Sequence, residues 1–298
     1  MRKINEEFLN EKTMSNTFDK NRFWTLLKWD VLMNKKFYIQ MGIGLTVAFA
    51  FIFCLNTWAG DSKIAWGNDL YHAHLADTVV FIEFVVIMAA ASYMFYNMAT
   101  KQQRILFLMQ PASNLEKYLA RFVSLTVGVL LISNIAIIAS DLIHQLFGLV
   151  IGSEVRGSIM LHLPGFYDDP NAQPGRLFNF NINGEAFSTP WLVKEYAALL
   201  FIMSIHSFYM LCGSLFRRNA WLLAICSHFV LTFVGALVLY KLGDWGWFEF
   251  IENNAEVAIK TLIYSGLAIG TGFTALLYWL SYKIFTRMQV VNNKWLNL

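Results

Sequence analysis

The sequence predicts an all-α membrane protein with six transmembrane helices preceded by an amphipathic interfacial helix. Three observations carry that expectation. Six long apolar stretches run through a chain of 298 residues that is 57% hydrophobic. The loops between them are alternately rich and poor in Lys and Arg. A segment mixing aromatic and basic residues stands immediately before the first stretch.

A helix needs about 20 mainly apolar residues to cross the hydrocarbon core of a bilayer. Six segments meet that length: 37–58, 76–98, 122–151, 192–216, 221–240 and 257–285. The third, fourth and sixth are longer than a span requires, so they tilt or protrude. None contains proline. Uninterrupted helices satisfy every backbone group where water is absent, and the runs are too long and too uniformly apolar for barrel strands. The chain therefore divides into an N-terminal segment 1–36, a six-helix domain 37–286 with loops at 99–121 and 152–191, and a tail 287–298.

Charge placement supplies the orientation. Of 23 Lys and Arg residues, 17 fall before the first span, in the loops after the second and fourth, or after the sixth. The remaining six are Lys63, Arg156, Arg176, Lys194, Lys241 and Lys260, although they occupy the longer loops. By the positive-inside rule both termini are cytoplasmic. The formal net charge of +3 averages two unlike faces and gives no indication of nucleic-acid binding. Polar sequence runs to Lys36 with no apolar region ending in small residues, so the N-terminus does not read as a secretion signal. Cys54, Cys212 and Cys226 all lie in apolar segments without metal-ligand spacing and read as core filler.

Before the first span, Phe23, Leu26, Leu27 and the pair Asp30–Val31 mark one helical face approximately, among Lys20, Arg22, Lys28, Lys35 and Lys36. This helix suits the membrane interface, with Trp24 and Trp29 at headgroup depth; the competing reading is a helix packed on a partner protein.

The loop after the second span is the most informative polar stretch. Arg104, Ile105, Leu108 and Met109 suit a short helix that uses both a charged and an apolar face. Pro111 ends it, because the residue before proline is pushed out of helical geometry. Ser113 followed by Glu116 is a capping box that opens a new helix through Lys117 and Arg121 into the third span.

Lys101-x-x-Arg104, Leu108, Pro111-Ala-Ser113 and Glu116-Lys117 resemble the cytoplasmic loop of permease subunits of ABC-2-type transporters, the type V exporter-like class, especially those of Bacteroidota. The leading helix, the six spans, the large loop after the third span and the basic ending Tyr282-Lys-Ile-Phe-Thr-Arg287 are similar to that family as well. The resemblance rests on topology and one loop and implies a connecting helix at 17–35 and a coupling helix at 100–110. It implies that Lys101, Arg104, Leu108, Pro111 and Glu116 couple the chain to a separate cytoplasmic ATPase, with Arg104 and Leu108 docking in its cleft. ATP and Mg would be bound there, and a second permease subunit would complete the path in a bacterial inner membrane.

This chain has no Gly-x-x-x-x-Gly-Lys-Ser/Thr sequence to cradle phosphates. No catalytic, cofactor-binding or metal-ligating set is expected in it. Gly42, Gly44, Gly266, Gly270 and Gly272 lie in apolar segments, where small residues allow close helix packing. The loop 152–191 holds four of the five prolines and reads as a small folded cap or an irregular loop. Its aromatic residues either pack that cap or meet a periplasmic partner or exiting substrate.

Ionisable residues at membrane depth mark either a pathway or polar packing between helices. They are Glu83, Asp141, His144, His206 and His228. Asp141 and His144, three residues apart, share a helical face and are placed, with Glu83, as candidates for a translocation path. Scattered histidines without close repeats argue against a di-metal membrane enzyme. Alternatives to the ATP-driven exporter are an ion-coupled secondary transporter, against which no inverted pair of broken helices is visible, and a non-transporting accessory subunit.

Overall fold

A computed structural model describes residues 18–59, 68–98, 100–152, 157–163, 180–182, 185–187, 191–216, 219–244 and 255–288. Among them the chain forms eight α-helices, two 3-10 turns and one two-stranded hairpin. The helices are α1 (Lys20–Met33), α2 (Lys35–Ala59), α3 (Asn68–Ser92), α4 (Lys101–Leu108), α5 (Asn114–Ile151), α6 (Trp191–Leu215), α7 (Ala220–Asp244) and α8 (Ala255–Thr286). Strands β1 (Phe180–Ile182) and β2 (Glu185–Phe187) pair antiparallel, Asn181 opposite Ala186. The tail beyond residue 288 and most of loop 152–191 lie outside the described residues.

Six helices (α2, α3 and α5 to α8) are long and apolar enough to cross a membrane. Their outward faces agree with that reading. Along α7, only Ala224 is buried, while Phe229, Val230, Phe233 and Leu237 are exposed. A helix that is apolar all round and still exposed is suited to lipid or to another membrane helix.

The expected boundaries shift in informative places. The second span begins earlier and stops at Ser92, six residues short of the expected end at residue 98; a turn and the 3-10 segment Tyr96–Met98 follow. The third helix is a single 38-residue rod from the capping box at Ser113 to Gly152. At ~1.5 Å per residue that is about 57 Å, far beyond the ~30 Å hydrocarbon core. Gly152, at φ 66°, closes it in the left-handed geometry that glycine adopts without steric cost. The basic ending 282–287 overlaps the last turns of α8, which stops at Thr286.

Two compact units emerge. One comprises the chain to Ala90 and from Pro111 to Asp169; the other comprises residues 91–110 and everything from Pro170 onward. In the first, α1 and α2 both pack along α5. Phe49 and Phe53 of α2, Leu75, Ala76 and Val79 of α3, and Ile137 of α5 form its main apolar cluster. Tyr38, Ala90 and Val129 form a second, with the Tyr38 hydroxyl donating to the Ser124 carbonyl at 3.0 Å.

In the second unit α6 packs along α8 and against α7. Gly213 allows the closest approach: a Cβ there would lie 2.6 Å from the Ser92 carbonyl oxygen. Of the five glycines expected to serve packing, Gly42 and Gly270 face a neighbouring side chain within 3.1 Å, and Gly44, Gly266 and Gly272 meet open space. The cysteine expectation is likewise corrected in part: Cys212 is buried, Cys54 half-buried and Cys226 exposed.

Candidate functional site: the loop after the second span and the buried polar clusters

Helix α4 is short but well defined at both ends. The Thr100 hydroxyl accepts the Gln103 backbone N–H, and the Gln103 side chain returns to the Thr100 N–H, a reciprocal cap. Met109 closes the helix by donating its N–H to Ile105 O at 2.9 Å. Within the second unit α4 is anchored through Phe107, whose ring meets Phe285 of α8 edge-on at 6.2 Å. Phe95 stacks on the same ring, 5.0 Å from Phe285 and nearly parallel. Aromatic contacts of this kind add about 0.5–1.5 kcal/mol beyond area burial.

That anchoring decides which face of α4 stays free. Arg104 is only 5% exposed and Leu108 is half-buried, so the face that carries them lies about a third of a turn away from the open one. Leu106, 62% exposed, and Met109, 76% exposed, stand three residues apart on the open face, beside Ile105. Lys101 and Pro111 are exposed.

Glu116 is buried and serves as a junction. Its Oε2 accepts the Ser113 N–H at 2.8 Å, while Oε1 accepts the Asp19 N–H at 2.7 Å and Arg22 Nη2 at 3.0 Å. The residue that caps α5 therefore also holds the start of α1. Two turns further along α1, the Asp30 carboxylate receives Arg121 Nη1 on both oxygens at 3.0 Å and the Ser124 hydroxyl at 2.6 Å. Both partners are buried, Asp30 at 1% and Arg121 at 3% exposure. Helix α1 thus turns Leu26 and Asp30 inward and leaves Trp24, Trp29, Leu32 and Met33 exposed. Val31, expected on the same face as Asp30, is exposed too.

Glu83 of α3 meets α5. The Ser133 hydroxyl and the Asn134 amide donate to its Oε1 at 2.9 and 3.1 Å. Each donor also reaches the Leu130 carbonyl, at 3.0 and 2.8 Å.

Toward the other end of α5, Asp141 Oδ2 accepts the Ser158 hydroxyl at 2.6 Å and the Gln145 amide at 3.0 Å, while Oδ1 accepts the Ile159 N–H at 3.0 Å. His144 is tied to α2 through Nε2, 2.7 Å from Thr57 Oγ1. The Thr57 hydroxyl also reaches Phe53 O at 3.0 Å, and the direction of its bond with Nε2 follows the ring tautomer. The other ring nitrogen, Nδ1, faces Asp141 Oδ1 at 3.9 Å. His72 lies with its ring centroid 6.4 Å from His144 and stacks on His162 at 5.1 Å. The four-residue cluster is assembled from α3, α5 and the turn Ile159–His162. Sequence spacing linked only Asp141 with His144.

The second unit carries a polar seam that no spacing rule singles out. Between α6 and α8 run Tyr196 to Thr271 at 2.6 Å, Ser204 to Thr274 at 2.6 Å, and His206 Nδ1 to Tyr278 at 2.8 Å. Residues 196, 204 and 206 meet 271, 274 and 278 in the same order, as in two helices running parallel, a register that no local spacing reveals. His228 packs against the Phe208 and Tyr209 rings, 6.0 Å from each. Among the described residues no group of three His, Cys, Asp or Glu side chains converges to hold a metal ion.

Compared with known proteins, the chain has no match: no family model, no curated protein and no solved structure.

Proposed function

We propose that this chain is the membrane-embedded permease subunit of an ATP-driven exporter, working with a second permease and with separate cytoplasmic ATPase subunits that bind ATP and Mg. The supporting observation is α4: a short helix capped at both ends, anchored by Phe107 on Phe285, and presenting Ile105, Leu106 and Met109 outward. A rigid helix with an uncovered apolar face, placed between two spans, is suited to transmit a partner's movement. In this reading α1 lies along the membrane interface, both termini are cytoplasmic, and the membrane is the inner membrane of a bacterium. Substrate would pass along a path formed with the second permease, and ATPase closure would be transmitted through α4 into α3 and α8.

The test is the pair Leu106→Asp and Met109→Asp, which removes the apolar face while leaving Arg104 and Phe107 in place. The double variant inserts at normal levels, loses co-purification of the ATPase subunits and loses ATP-dependent export. Retained ATPase association with retained export would overturn the proposal, as would export by the wild type that is driven by an ion gradient without ATP.

A further inference from the structure

Helices α2 and α5 leave a groove of about 420 Å3 along their contact, and its chemistry is uniform. Ile39, Gly42, Ile43 and Thr46 line one wall, and Ile132 and Ile135 line the other. The polar hydrogens available there are already committed: the Tyr38 hydroxyl donates to Ser124 O, and the Thr46 hydroxyl donates to Gly42 O at 2.9 Å. An occupant therefore meets hydrocarbon alone. Gly42 keeps the floor open, since a Cβ at that position would approach Ile132 Cγ2 to 3.1 Å.

At the Tyr38 end the character changes within one turn. Lys35 and Lys36 stand four and three residues before Ile39, so they continue the groove-lining face of α2 toward its N-terminus. Both are exposed. Asp30, a nearby carboxylate in the sequence, is buried against Arg121 and Ser124 and does not neutralise them. An apolar slot between two membrane helices that ends at two adjacent cations is complementary to a molecule with an acyl chain and an anionic head.

We propose that this groove is a binding site for an anionic phospholipid, its acyl chain between α2 and α5 and its phosphate-bearing headgroup on Lys35 and Lys36. The site needs only the six-span reading and is independent of transport. Each lysine near an anionic lipid surface contributes about 1 kcal/mol, which is about fivefold in affinity.

The test uses the full-length chain in detergent with an equimolar mixture of phosphatidylglycerol and phosphatidylcholine of identical acyl chains, followed by native mass spectrometry. The wild type retains phosphatidylglycerol over phosphatidylcholine by at least about fivefold. Lys35→Gln with Lys36→Gln brings that ratio close to one while some lipid of either class remains bound. Gly42→Leu fills the floor and lowers retention of both lipids; Thr46→Phe, which fills the groove from a different turn, does the same and guards against a folding defect peculiar to Gly42. Equal retention of the two lipids by the wild type overturns the proposal. So does unchanged selectivity in the lysine variant. Loss of a dimer peak in both groove-filling variants, with lipid retention unaltered, would also overturn it and assign the groove to a second copy of the chain.

Discussion

Replacing Arg121 by Gln leaves the Asp30 carboxylate buried with its principal counter-charge gone. In the native arrangement both carboxylate oxygens lie 3.0 Å from Arg121 Nη1, and Ser124 supplies one further short bond. The remaining donors, Ser124 and the more distant Asn34 amide at 3.3 Å, do not balance a full charge. Removing one partner of a buried ion pair costs about 3–5 kcal/mol, mostly as the penalty of the orphaned charge. Because Asp30 is on α1 and Arg121 on α5, that cost falls on the docking of α1, whose undocked population should rise by about two to four orders of magnitude. Cleavage by trypsin at Lys28, an exposed residue of α1, reads this population directly. Arg121→Gln should be cut at least about a hundredfold faster than the wild type. The double variant Asp30→Asn with Arg121→Gln, which swaps the charges for neutral amides, should recover most of the difference, giving a strongly non-additive cycle. A cleavage rate within twofold of wild type in the single variant, or additive effects in the double, would refute the account of α1 as a helix held by a buried ion pair.

Two further perturbations probe the helix contacts. Gly213→Ala places a methyl group 2.6 Å from a backbone carbonyl that has no rotamer to yield, so it should destabilise the protein by about 1–3 kcal/mol, whereas Gly44→Ala, with open space around it, should be neutral or slightly stabilising; thermal unfolding in detergent compares them. Glu83→Gln and Glu83→Leu should both assemble with a loss of no more than about 1 kcal/mol, because Ser133 and Asn134 keep the Leu130 carbonyl as acceptor and a hydrogen bond between membrane helices averages only about 0.6 kcal/mol. Failure of Glu83→Leu to fold would show that the carboxylate is a structural tie, while loss of export by both well-folded variants would place it on the translocation path.

The six long helices were legible in composition and length, because a bilayer demands some 20 consecutive apolar residues and leaves that demand in plain view. The capping box at Ser113 and Glu116 was equally legible, since it satisfies backbone groups three residues apart and involves nothing distant. What the sequence alone could not convey is which face each polar residue turns to. Arg104 reads as an outward-facing cation in the sequence, whereas the contact of Phe107 with Phe285 puts its side of α4 inward. Asp30 reads as part of an amphipathic stripe until Arg121, 91 residues away, claims it. The histidines at 72, 144 and 162 and the seam from Tyr196 to Tyr278 have no local spacing that joins them. Local hydrogen-bonding rules and hydrophobic length act within a few residues and determine the elements; buried polar contacts depend on helix rotation and register, and only the tertiary structure decides those.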